Sequence, residues 1–193
     1  MTSQERRSAI RLDSRQLRVL AHPLRSRLLT ALRLDGPATA TRLAAAMGTN
    51  TGATSYHLRQ LAAVGLVVEE AGQGHGRERW WRAAHHEHGW RSRDVVDDPD
   101  DRAAAMWLSE HQVRLFAELL ASWVRDHYSH PPDWRDAAEV SDFGLRLPPD
   151  RLRALNDELH AVVDRYQREA TGDGDQVLVF FAGFPRLAPD GPG

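Results

Sequence analysis

From residue 14 to residue 66 the apolar positions recur at helical spacing in runs separated by turn residues. Leu17, Val19 and Leu20 follow Ser14, which can cap a short helix. His22-Pro23 breaks that helix, and Pro23 suits the first turn of a second one running to about Leu34. Leu24, Leu28, Leu29, Ala31 and Leu32 form its apolar face. Asp35-Gly36-Pro37 is a turn, Thr39 or Thr41 opens a short helix with the sequence TATRLAAAM, and Gly48 ends it. Thr49-Asn50 leads into a fourth helix over 51–64. Thr54, Leu58, Leu61 and Ala62 lie on its inner face, Asn50 or Thr51 caps it, and Gly65 stands where a left-handed residue closes a helix.

After this helix the period changes. Leu66-Val67-Val68 and Arg77-Glu78-Arg79-Trp80-Trp81-Arg82 read as strands, and the glycine-rich stretch 71–76 between them makes a hairpin over 66–83. A short helix, a tight turn, a second helix and a hairpin constitute a winged helix-turn-helix. On a regular strand Trp80 and Trp81 face opposite sides, so one packs on the helices. Residues 84–102 are polar and read as a linker. Beyond it, 102–128 is a long amphipathic helix with Met106, Val113, Phe116, Leu120, Trp123 and Val124 on one stripe. Phe143, Leu145 and Leu147 alternate as in a strand, Pro148-Pro149-Asp150 opens a helix to about Ala170, and 177–181 is a buried-looking strand. The fold class is thus α+β, mainly α: a winged helix-turn-helix followed by a helix-strand-helix-strand domain. The expected boundaries are a flexible arm 1–13, a winged helix domain 14–84, a linker 85–101, a dimerisation domain and candidate effector domain 102–184, and a flexible tail 185–193.

Charge sharpens this division. The 193 residues carry a net −2, but residues 1–93 hold 15 Arg against 7 acidic residues, a net +8, while 94–193 hold 10 Arg against 20, a net −10. The basic half favours a polyanion partner and the acidic half repels one. Cysteine is absent, which removes disulfides, thiolate metal sites and cysteine nucleophiles together. The N-terminus lacks the apolar core of a signal peptide, and no run of eighteen apolar residues occurs, so the expected location is cytoplasmic with no membrane partner.

The outer face of the 51–64 helix carries Thr51, Gly52, Ser55, Tyr56 and Arg59, short hydrogen-bonding groups with one ring and one guanidinium, suited to base edges and phosphates in a major groove. On the hairpin, His75, Arg77 and Arg79 can reach a phosphate backbone or a minor groove. An ordinary amphipathic surface helix would show the same spacing; the flanking helix, turn and hairpin distinguish the two. His85, His86 and His88 with Glu87 invite a metal reading, but in a linker they have no scaffold to fix ligand geometry, so no metal site is assigned.

The composite of LAHPLRSRLLTAL, ATRLAAAMGTNTGATSYHLRQLAAVGLV and a glycine-bearing hairpin, covering residues 14–83, resembles the ArsR/SmtB-like winged-helix repressors. The resemblance implies a homodimeric, DNA-binding transcription regulator, and the C-terminal half resembles the added domain of extended members. Many members sense metals through thiolates, which this chain lacks. The leading reading is a transcription regulator, a repressor, that binds a palindromic duplex site as a dimer, with a small-molecule effector as a candidate partner and no cofactor. The alternative is a protein-interaction module on the same scaffold without specific DNA binding. No nucleophile elbow, phosphate loop or metal-hydrolase motif occurs, so no catalytic residue is assigned and the chain reads as a non-enzyme.

Overall fold

The computed structural model describes residues 8–70, 78–90, 95, 97–170 and 174–186. They belong to two compact units, Met1–Ala117 and Glu118–Gly193.

The first unit opens with β1 (Ser8–Arg11), then α1 (Ser14–Leu20) and α2 (Pro23–Leu34). Asp13, not Ser14, caps α1: its carboxylate accepts from the Gln16 amide at 2.7 Å, and the Gln16 side chain accepts from the Asp13 amide at 3.0 Å. The reciprocal pair satisfies two donors at once, which a lone serine does not. His22 caps α2 through its ring nitrogen, with Pro23 in the first turn. A two-residue strand β2 (Ala38–Thr39) precedes α3 (Ala40–Met47), and Thr39 caps α3. Gly48 has φ +64°, so it closes α3 without the Cβ penalty of the left-handed region. The Thr49 amide then reaches back to the Ala44 carbonyl at 3.0 Å.

α4 (Thr51–Ala62) follows, capped by Asn50 Oδ1 on the Ala53 amide at 2.8 Å. Thr54 is buried yet satisfied, its hydroxyl donating to the Asn50 carbonyl at 3.1 Å. At the far end Gly65 has φ +72°, and the Leu66 amide donates to Leu61 O at 3.0 Å. This turn feeds β3 (Val67–Glu70), which pairs antiparallel with β4 (Trp80–Ala83), and β4 pairs with β2 on its other edge. The two edges tie the hairpin both to the end of α4 and to the start of α3.

Leu17, Leu20, Leu28, Leu32, Leu58, Leu61 and Leu66 have essentially no exposed surface and form the centre of the core. Trp81 joins them, 3% exposed, while Trp80 lies half-buried on the other side of the strand beneath the Arg42 guanidinium, 4.8 Å from its ring centroid. The period-two reading of this pair is therefore correct.

The arm and linker are not as expected. Residues 8–11 are β1, and 85–89 form β5 (His85–Gly89), which pairs with β1 in parallel. The cause is non-local: Arg33 of α2 donates to the His86 carbonyl at 2.9 Å, and its Nη1 meets His88 Nδ1 at 2.7 Å. Burial, with Arg33 and His85 adding, pushes the His88 pKa down to about 3, so this imidazole is a neutral structural group. α5 (Pro99–Asp126) begins three residues before the expected start, because Asp98 accepts from the Asp100 amide at 2.8 Å and caps it. Arg18 of α1 bridges Asp98 at 2.7 Å and also pairs with buried Asp101. Ala104, Ala105 and Leu108 thereby enter the common core.

In the second unit a 3₁₀ turn at His127–Ser129 ends the long helix, and α6 (Pro132–Ala137) and α7 (Pro149–Glu169) follow. The strands expected at 140–147 and 177–181 do not form: among the described residues neither segment joins a ladder, and the sheets are β1-β5 and β2-β4-β3. Alternation supplied the apolar pattern, but a ladder also needs a neighbouring edge. The 174–186 segment lies along α7, with Phe181 edge-on to His160 at 4.8 Å and Gly183 against Leu152. The fold remains α+β and mainly helical. No helix among the described residues is long and apolar enough to cross a membrane.

Candidate nucleic-acid interface

Burial of Leu58 and Leu61 fixes the rotation of α4, and that rotation decides which residues face outward. Thr51, Gly52, Tyr56 and Arg59 are exposed and Ser55 is half-buried, all on the side away from the core. Tyr56 is 52% exposed, a large ring left in solvent on a helix with a complete core beneath it. Arg59 folds back along the helix, its Nε donating to the Ser55 carbonyl at 3.1 Å. Gly52 has a local role: an added Cβ would meet Asn50 Oδ1 at 3.3 Å, so the missing side chain clears the helix cap.

Across from this face stands the base of the hairpin. Arg79 pairs with Glu69 at 3.1 Å, both side chains more than half exposed, and sits 5.9 Å from the Trp81 ring. Arg82 pairs with Glu70 at 2.9 Å nearer the core. Between helix and hairpin lies an open depression of about 350 Å³, lined by Thr39, Thr41, Thr51, Ser55, Arg59 and Arg79 among others. The structure thus brings Thr51, Ser55, Arg59 and Arg79 to one concavity and leaves Tyr56 on its outer flank. His75 and Arg77, the tip residues expected to reach a backbone, lie outside the described residues.

Sequence reasoning missed Thr39 and Thr41, which bring the start of α3 to the same depression. The available signal was Thr39 as the cap that places the start of α3. Glu78 also lines the depression and weakens its positive character.

A second cluster supports α4 from behind. The rings of His22 and His57 lie 4.5 Å apart, and the edge of Tyr56 meets His57 at 5.2 Å. Burial lowers the His57 pKa first, with His22 and Arg25 adding. Burial, then Arg25, lowers that of His22. Both are held neutral more strongly than an ordinary histidine. Gln16 of α1 donates to the Val64 carbonyl at 3.0 Å and secures the turn that carries α4 into the hairpin. The polar face of α4 is thus mounted on a packed, hydrogen-bonded base.

A short helix, a glycine turn, a capped second helix and a two-stranded wing define a winged helix-turn-helix. Comparison agrees: residues 20–70 match the family described as a helix-turn-helix domain. Among solved structures the chain is similar to a possible transcriptional regulator for arsenical resistance, at 32% identity over 55% of this chain and 96% of that one, TM-score 0.32. It is also similar to the homodimeric winged helix-turn-helix DNA-binding domain of a possible ArsR-family transcriptional regulator from Mycobacterium bovis, at 21% identity over 61% and 85% of the two chains, TM-score 0.33. No curated protein matches the chain. The chain thus carries a helix-turn-helix domain over residues 20–70, extended by the β3–β4 pair into a winged form.

Proposed function

We propose that this protein is a transcription regulator, a repressor, that binds a palindromic site on duplex DNA as a homodimer. The observation that carries the reading is the exposed polar face of α4, with Thr51, Ser55, Tyr56 and Arg59, set across a concavity from Arg79 on the wing. Thr51, Ser55 and Tyr56 read base edges, Arg59 reaches a base or a phosphate, and Arg79, with Arg77 and His75, holds the backbone. The net +8 of residues 1–93 favours approach of this half to DNA.

One such helix reads few base pairs, and two-fold symmetry doubles the contacts on a palindrome. A dimer is supported by α5, which exposes Met106, Val113, Leu120 and Val124 along its length. Spacing by seven residues puts the first three on one stripe, the geometry of a helix-helix seam. The cysteine-free chain has no thiolate chemistry for an effector; a small molecule that prefers one dimer geometry would regulate it by shifting the population toward that geometry.

Selection of genomic fragments on the purified full chain tests the reading. Enrichment of a two-fold symmetric sequence supports it. Retention of all duplexes alike, or of none, favours instead an interaction module on the same scaffold.

A further inference from the structure

The second unit leaves its apolar segments uncovered. Every residue from 136 to 150 is exposed, Phe143 at 83%, and Val177, Val179 and Phe184 are exposed as well. Together 140–147 and 177–184 present on the order of 1,000 Å² of apolar side chain, against about 800 Å² per partner in a standard stable interface. The unit's 14 acidic residues against 8 Arg, a net −6, repel DNA and anionic membranes as occupants.

The sequence of the first segment points to one occupant. Residues 142–146 read Asp-Phe-Gly-Leu-Arg, with opposite charges placed evenly about Gly144. We propose that this segment pairs antiparallel with the same segment of a second copy, across a two-fold axis at Gly144. In that register Asp142 lies opposite Arg146 of the partner subunit, and Phe143 opposite the partner's Leu145, each pair occurring twice. Opposite charges and aromatic–aliphatic pairs directly across a ladder stabilise it, whereas like charges there destabilise it. Phe143, Leu145 and Leu147 then share one face of the new ladder. The pairing gives the alternation of 143–147 the neighbouring edge that it lacks within one chain. It also closes the dimer far along the chain from the reading helix. This inference rests on the homodimer reading and goes further in placing a seam within the second unit.

The absence of cysteine makes the test clean. An added Cβ at Gly144 meets nothing within 4 Å, and the same is true of Gly174, which serves as control. Residues at a two-fold axis of an antiparallel pair have Cα atoms about 4.5–5.5 Å apart, inside the disulfide range. In the full chain, Gly144→Cys under mild oxidation should form a covalent dimer at least tenfold faster than Gly174→Cys. By sedimentation, Asp142→Arg and Arg146→Asp should each raise the dimer dissociation constant about tenfold, and the double exchange Asp142→Arg/Arg146→Asp should restore it. Equal cross-linking rates overturn the pairing, and so does a double exchange no tighter than either single change. If the protein sediments as a dimer in those cases, the homodimer reading survives without this seam. A monomer at micromolar concentration removes both.

Discussion

Replacing Arg79 by Gln separates the wing's electrostatic role from its structural one. Arg79 and Glu69 pair at 3.1 Å with side chains 57% and 54% exposed, so the ion pair contributes about 0–1 kcal/mol to stability. The Arg79→Gln variant should therefore melt close to the parent. Its DNA binding should change in a specific way. Each phosphate contact contributes about 0.9 to the slope of log affinity against log salt, so a dimer with two wings loses about 1.8. A deficit of that slope shrinks about twelvefold between roughly 50 and roughly 200 mM salt. Fluorescence anisotropy on a selected site and on a random duplex measures it, with the same change in slope expected on both. The companion Glu69→Gln, which releases Arg79 and removes a negative charge, should strengthen binding to both duplexes alike. An unchanged slope in Arg79→Gln, or an altered preference at one base position, would refute the phosphate assignment.

Asn50→Ala removes the oxygen that caps α4 and should destabilise the protein by about 1 kcal/mol, read by urea unfolding, with a parallel loss of DNA affinity. The lowered pKa values of His22 and His57 set a pH dependence. Their stabilisation is fully present above the ordinary value of 6.5 and declines as pH falls below it, because the unfolded chain takes up protons first. His57→Asn should flatten the decline in unfolding free energy between about pH 6.5 and pH 5. Calorimetric titration with zinc or nickel should show no stoichiometric sub-micromolar site. Such binding, lost on changing His85, His86 and His88 together to Ala, would reverse that expectation.

The parts of the fold that depend on local chemistry were readable in the chain. α4 declares itself through Leu58 and Leu61 at helical spacing, the Asn50 cap and Gly65 at its end. Trp80 and Trp81 divide as the strand period requires. What was hidden depends on distant partners. HHEHG has neither alternation nor an apolar face, and it becomes β5 only because Arg33, 53 residues away from His86 in sequence, and the β1 edge supply its hydrogen bonds. The early start of α5 likewise depends on Arg18 holding Asp98 and Asp101. At 140–147 the alternation was legible but the ladder is missing, since a strand pattern records a preference and not the presence of an edge. Around the depression, helical spacing pointed to Thr51, Ser55 and Arg59 and the hairpin to Arg79, while Thr39 and Thr41 arrive through the β2–β4 pairing that draws the start of α3 to the wing.

The most direct test of base reading by α4 compares the full chain with Tyr56→Ala on the selected palindrome and on that palindrome altered one base pair at a time. The parent should lose about 1–3 kcal/mol at each contacted position, and Tyr56→Ala should bind the palindrome more weakly and no longer distinguish the base at one symmetric pair of positions. A Tyr56→Ala protein that retains the parent's affinity and its full pattern of base preference would contradict base reading by α4.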